Sequence, residues 1–157
     1  MGRQPTRIHG ARPTAAFAVI RRDERGQTLW LAQWNPKWGA YHFVGGHKRP
    51  EETFRECLVR EIGEELHLRE GLDYRIASTP PTHLEFMDFS ESTQTQTSYI
   101  MELFGVELGR EVCSKAESEA DNRWLSEAEI QAGRTHDGRR GSPTMKRLRE
   151  AIRKRIA

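Results

Sequence analysis

The sequence predicts one α/β domain with a mixed sheet between helical layers, and three observations predict it. Strand-like runs stand on both sides of residues 50–68, that intervening segment carries apolar residues at helical spacing, and a second helical pattern closes the chain after residue 142. A length of 157 residues suits one domain with a substantial core.

Residues 1–13 read as a flexible lead-in and residues 14–157 as the domain. From Thr14, TAAFAVIRRD and TLWLAQW form two strands of a hairpin whose turn lies in DERGQ. AYHFVGG is a short strand running directly into Gly45-Gly46. A helix follows, with Pro50 at or just before its first turn, where the missing N–H costs nothing. Glu51 and Glu52 there complement the positive end of the helix dipole. Phe54, Leu58, Ile62 and Leu66 recur every four residues and form its buried ridge, along which Cys57 also packs. DYRIAS and HLEFMDF are strands separated by the breaker Pro80-Pro81, and TQTSYIMELFGVEL is the longest strand candidate. Ser126-Glu127-Ala128-Glu129 is a capping box that starts a short helix near residue 127. Residues 131–142 form a Gly- and Arg-rich loop. Ser142-Pro143 then opens a terminal helix with Met145, Leu148, Ile152 and Ile156 on one side.

Composition narrows the functional classes. With 36% hydrophobic and 31% charged residues, and no run approaching the ~20 apolar residues of a membrane span, the expectation is a soluble cytoplasmic protein without a membrane partner. Two cysteines, Cys57 and Cys113, are too few for a disulfide framework or a zinc site. A net charge of +2 points to no particular partner. The basic run Lys146, Arg147, Arg149, Arg153, Lys154 and Arg155 alternates with apolar positions, which favours a solvated helix face over a nucleic-acid partner.

The chemistry concentrates at residues 45–68. Glu61, Glu64 and Glu65 share one helical face, where like charges repel by a few tenths of a kcal/mol per pair. A hard divalent cation, Mg²⁺ or Mn²⁺, turns that repulsion into attraction. Gly45 and Gly46 can take φ > 0 and let the backbone approach a ligand closely. Arg60 is the natural partner of Glu52 or of a later glutamate, since its fork fixes a carboxylate in place.

From Gly46, five residues lead to Glu52 and seven more to Arg60-Glu61, followed by Ile62, Gly63, Glu64, Glu65, Leu66, His67 and Leu68. This resembles the Nudix box, G-x5-E-x7-R-E-U-x-E-E-x-G-U, at every specified position except the second glycine, where His67 stands. That position has the character of a helix C′ residue in the αL conformation, which His tolerates at some cost, and it removes no carboxylate.

The resemblance implies a Nudix-type α/β/α sandwich with a central mixed sheet. It also implies hydrolysis of the diphosphate linkage in a small nucleotide diphosphate by water attack on phosphorus, with Glu61, Glu64 and Glu65 holding Mg²⁺ or Mn²⁺. Arg60 and Glu52 would orient the site, and Gly45 and Gly46 would lie against the phosphates. Family members often recruit an extra acid ahead of a late tryptophan strand, which points to Glu117 or Glu119 before Trp124, with Glu91 and Glu102 as weaker choices. Trp34 and Trp38 are the stacking candidates for a base, and Lys48 can meet phosphate. Many family members are homodimers. Two other readings stand beside this one: a catalytically silent nucleotide-binding sensor and a pyrophosphohydrolase of RNA 5′ ends.

Overall fold

The computed structural model describes residues 13–90 and 94–156. The lead-in, apart from Pro13, lies outside the described residues, as does Glu91.

The first apolar run forms two strands where one is expected. β1 (Thr14–Val19) and β2 (Arg21–Glu24) part at Ile20 and enter different sheets. β1 is buried on both faces, Ala15, Phe17 and Val19 toward one core and Ala16 and Ala18 toward the other. β2 returns as β3 (Gln27–Asn35) through Arg25 and Gly26, both at positive φ, the geometry of a tight hairpin turn. The run AYHFVGG divides in the same way. β4 (Ala40–His42) pairs with β3, whereas β5 (Gly45–His47) pairs with β1. Both runs cross between sheets at one place, where the Ala18 N–H donates to the Val44 carbonyl and the Leu31 N–H to the Ile20 carbonyl.

Separated by the break at Pro80-Pro81, β6 (Tyr74–Ile76) and β7 (Thr82–Ser90) lie end to end along one edge of β8 (Thr95–Leu108), and β1 runs parallel to its other edge. This is the mixed sheet. The second sheet centres on β3, with β2 and β4 end to end on one side and β9 (Asn122–Ser126) on the other.

The central helix α1 (Phe54–Leu66) begins later than the Pro50 signal suggests. Thr53 caps it and Glu56 closes the capping box, so Pro50, Glu51 and Glu52 lie in the preceding turn and Glu56 is the acid of the first turn. The helix ends on His67 at φ 59, ψ 36, the αL conformation expected of that position. Cys57, Leu58, Ile62 and Leu66 are buried against the sheet, while Phe54 is only partly buried. Full burial of side chains such as Leu58 and Ile62 stabilises the fold by ~1.5–3 kcal/mol each.

The other helices cover the remaining surfaces. α2 (Arg110–Ser118) has no counterpart in the sequence expectation and packs on β9 mainly through Val112 and Ala116. α3 (Glu127–Ala132) starts at the expected box, Ser126 capping and Glu129 answering. In α4 (Pro143–Ile156) the Ser142 hydroxyl accepts from the Met145 N–H, and Met145, Leu148 and Ile152 are buried. The side chain of Ile156 lies outside the described residues. α1 therefore covers one core and α3 with α4 the other, giving an α/β/α sandwich around a mixed sheet. No helix among the described residues is long and apolar enough to cross a membrane.

Candidate active site

β5 brings its two glycines under α1, and they serve different purposes. Gly45 has φ 147°, and a Cβ on it would fall 2.1 Å from the Ala16 carbonyl oxygen, so backbone geometry demands glycine. Gly46 is not among the positive-φ glycines, which corrects the expectation for it. A Cβ there would instead stand 2.6 Å from Oε1 of Glu61. The space above Gly46 is the seat of the Glu61 carboxylate.

Arg60 organises the acids around this seat. Its Nε and Nη2 donate to the two oxygens of Glu52 at 2.6 and 2.9 Å, a bidentate pair. Nη1 donates to Glu61 at 3.1 Å and to Glu64 at 3.3 Å, and Nη2 also reaches the His47 carbonyl at 3.0 Å. Glu52 accepts the Arg49 N–H at 2.8 Å. The Arg60 hydrogen bond is the chief reason the Glu52 carboxyl is held down to about 2. Arg60 thus ties the turn before α1 to the carboxylates on its third and fourth turns.

Glu65 has the opposite electrostatics. Burial pushes its carboxyl up to about 8, the Gly45 N–H donating to Oε2 at 3.1 Å opposes the shift, and Glu61 and Glu64 add to it. Burial beside two other acids thus favours the protonated form of Glu65 in the metal-free fold. Glu61 is mostly buried and Glu64 half exposed. Among the described residues no three such donors already converge on one point, because Arg60 and Gly45 hold these carboxylates. Their chemistry still fits a hard cation: three carboxylate oxygen donors on one helix face, one of them buried without a cationic partner of its own.

The remaining sequence candidates have other partners. The Lys48 ammonium turns back onto the Arg49 and Glu52 carbonyls at 3.0 and 2.8 Å. Trp34 is partly buried, edge-on to Tyr41 at 5.1 Å, with the Arg139 guanidinium 4.2 Å above its ring. Trp38 is exposed and meets His42 edge-on at 5.8 Å. Burial between such rings pushes His42 down to about 4, so it is neutral at pH 7. Glu117 pairs with Arg22 of β2 at 3.1 Å. Glu119 ends α2, its carbonyl accepting from Asn122. Gln33 links that region to the box helix, donating to the Glu65 carbonyl and to Asn122 Oδ1.

The sheet register brings forward a weaker sequence candidate, Glu102. Gly46, Ala16 and Glu102 stand opposite one another in β5, β1 and β8. Ala16 packs under α1, so Glu102 projects on the side of the carboxylates, half-buried, one strand beyond Ala16. The signal lay in the alternation of β8, where Glu102 occupies the inward phase of Phe104 and Val106.

The sequence matches the NUDIX domain family over residues 12–145. No curated protein matches it significantly. Among solved structures, the fold is similar to C. elegans Ap4A hydrolase at TM-score 0.62 and 17% identity, covering 92% of this chain and 98% of that one. It is similar to RenU, a Nudix hydrolase from M. smegmatis, at TM-score 0.56 and 20% identity, covering 92% and 89%. The NUDIX domain of Shewanella oneidensis NrtR, complexed with ADP ribose, follows at TM-score 0.60 and 11% identity, covering 98% and 94%. At these identities the likeness concerns the fold.

Proposed function

This chain belongs to the NUDIX domain family, and from that premise we propose that it hydrolyses the diphosphate linkage of a nucleoside diphosphate derivative. The observation that carries the reading is the seating of Glu61 over Gly46 with Glu65 on the Gly45 N–H. Glu61, Glu64 and Glu65 are the residues that would hold Mg²⁺ or Mn²⁺. The cation, when bound, neutralises the diphosphate and acidifies a water.

The chain's own residues do the positioning. Arg60, anchored on Glu52, fixes Glu61 and Glu64 and keeps a positive charge beside the departing phosphate. The Gly45–Gly46 backbone seats the box carboxylates: the bare Gly46 leaves room for Glu61, and the Gly45 N–H donates to Glu65. Water adds to phosphorus as the bridging P–O bond breaks, and its proton passes to a carboxylate. A box glutamate or Glu102 serves as that base, with Glu117 in α2 and Glu119 at its end as the other candidates. Trp38, the more exposed ring, is the better stacking candidate for a base, since Arg139 already covers Trp34.

A second reading, nucleotide binding without turnover, is favoured by the likeness to the NUDIX domain of NrtR with ADP ribose. One experiment separates them. Nucleoside triphosphates, ADP-ribose, nucleotide sugars and dinucleoside polyphosphates are assayed with Mg²⁺ or Mn²⁺ beside a Glu65→Gln control. Metal-dependent release absent from the control supports hydrolysis. Binding of one nucleotide with no release from any substrate supports the sensor.

A further inference from the structure

Glu65 is held from both sheets at once. Its carboxyl oxygen Oε2 accepts the Gly45 N–H of β5 at 3.1 Å, and its backbone carbonyl accepts from Gln33 Nε2 of β3 at 3.2 Å. β5 belongs to the mixed sheet and β3 to the second one. The last carbonyls of a helix have no partner within it, and Glu65, one residue from the end of α1, is among them.

Gln33 breaks the apolar phase of its strand. Side chains alternate along β3, so Gln33 shares the face of Leu31, which is buried in the core under α1. An apolar side chain needs only burial there, whereas a glutamine needs partners for its amide. The second partner is Asn122, opposite Gln33 in β9, whose Oδ1 accepts from the same Nε2 at 3.0 Å. Asn122 is itself buried, and its Nδ2 donates to the Ala116 carbonyl of α2 at 3.1 Å. The backbone around the pair is fastened too: the Trp34 N–H donates to the Asp121 carbonyl at 2.7 Å and the Asn122 N–H to the Glu119 carbonyl at 3.1 Å. The donor that reaches Glu65 is therefore mounted on β3, β9 and α2, none of which carries a box residue.

Leu66 and Leu68 are buried at the same end of α1. Apolar burial is non-directional, so it sets how deep the helix lies and leaves its last turn free to rotate or slide. Hydrogen bonds are directional, and the two on Glu65 fix that turn against both sheets.

We propose that Gln33 and Asn122 are positioning residues of the site, an amide pair that holds the last turn of α1 so that the Glu65 carboxyl stays on the Gly45 N–H. They act through the Glu65 backbone and do not touch its carboxyl group. The proposal rests on the reading of Glu61, Glu64 and Glu65 as cation ligands, and it names residues outside the box on which cation affinity depends.

The test compares the intact wild-type chain with Gln33→Met, Asn122→Ala and Ser126→Ala, their folds verified by circular dichroism. Methionine keeps the bulk of glutamine without its donor. Asn122→Ala leaves Gln33 in place but unbraced. Ser126→Ala removes the α3 cap and lowers stability without touching Glu65. Heteronuclear NMR of the metal-free proteins follows the Gly45 amide. Its resonance should move in Gln33→Met, move less and in the same direction in Asn122→Ala, and match wild type in Ser126→Ala. Mn²⁺ titration followed by electron paramagnetic resonance should give Gln33→Met an affinity roughly 10- to 100-fold weaker, the usual cost of losing a partner that orients a metal ligand. Ser126→Ala should bind as wild type does. A Gly45 resonance unmoved in Gln33→Met overturns the proposal, as does wild-type Mn²⁺ affinity in that variant or an equal change in Ser126→Ala. Should Gln33→Met not fold, Asn122→Ala decides by the same resonance. Should the wild-type chain bind no Mn²⁺, the cation reading fails, and the Gly45 amide alone decides whether Gln33 places Glu65.

Discussion

Replacing Gly45 and Gly46 one at a time by Ala separates the fold from the site. At Gly45 the new Cβ meets backbone, the Ala16 carbonyl oxygen at 2.1 Å and Phe17 Cα at 2.7 Å, and φ stays at 147° unless β5 leaves β1. Backbone strain of that kind costs ~1–3 kcal/mol, and each ladder hydrogen bond given up to relieve the clash costs ~0.5–1.5 kcal/mol more. A loss of ~3 kcal/mol lowers the Tm of a domain this size by about 6–12 °C. At Gly46 no such φ strain arises, and the obstacle is the tip of Glu61, which must retreat from 2.6 Å to ordinary contact near 3.4 Å. That leaves stability within ~1 kcal/mol of wild type while misplacing one carboxylate, a shift of a kind that costs ~100-fold in rate. The expected pattern is an early-melting Gly45→Ala and a Gly46→Ala that melts like wild type but binds Mn²⁺ and turns over poorly. Scanning calorimetry and Mn²⁺ titration read the two quantities independently. If Gly46→Ala melts as early as Gly45→Ala, or binds Mn²⁺ as wild type does, Glu61 is not what that glycine makes room for.

Three further outcomes follow from the electrostatics. The folded-state value of Glu65 lies above its ordinary 4.5, so its contribution to stability is full below pH 4.5 and lost as pH rises toward about 8. Chelator-treated protein should melt progressively earlier across that window, Glu65→Gln should flatten the trend, and an unchanged slope in the variant would assign it elsewhere. His42 behaves inversely: its folded value of about 4 lies below the ordinary 6.5, so stability present above pH 6.5 is lost as pH falls toward 4. An NMR titration should find the ring neutral down to about pH 4, and titration near 6.5 would refute its burial. Arg60→Lys keeps the charge but loses the fork that grips both Glu52 oxygens. A kcat/KM ~10- to 100-fold below wild type is expected, and wild-type turnover in this variant would remove Arg60 from the site.

What the sequence reveals depends on whether the signal is local. The Ser126–Glu129 capping box, the four-residue ridge of α1 and the fourteen residues of β8 are complete within their own segments, and each element stands where those residues place it. Two start signals compete ahead of α1. Pro50 reads as a first-turn residue, but Thr53 and Glu56 satisfy two orphan N–H groups reciprocally, and the helix starts there. α2 escapes because only Val112 and Ala116 need partners, too few to establish a period. The strand divisions at Ile20 and at Phe43-Val44 escape for another reason. An apolar run buried on both sides looks the same whether it stays in one sheet or passes into a second. The spacing of Glu61, Glu64 and Glu65 sets which carboxylates share a helix face, and the sheet register sets what that face meets. Glu102, a weaker choice in the sequence, comes level with Ala16 and Gly46 because β1 runs parallel to β8, a relation between residues more than eighty positions apart. A helical motif can therefore identify the centre of a site while leaving unranked the strand residues that the sheet register sets beside it.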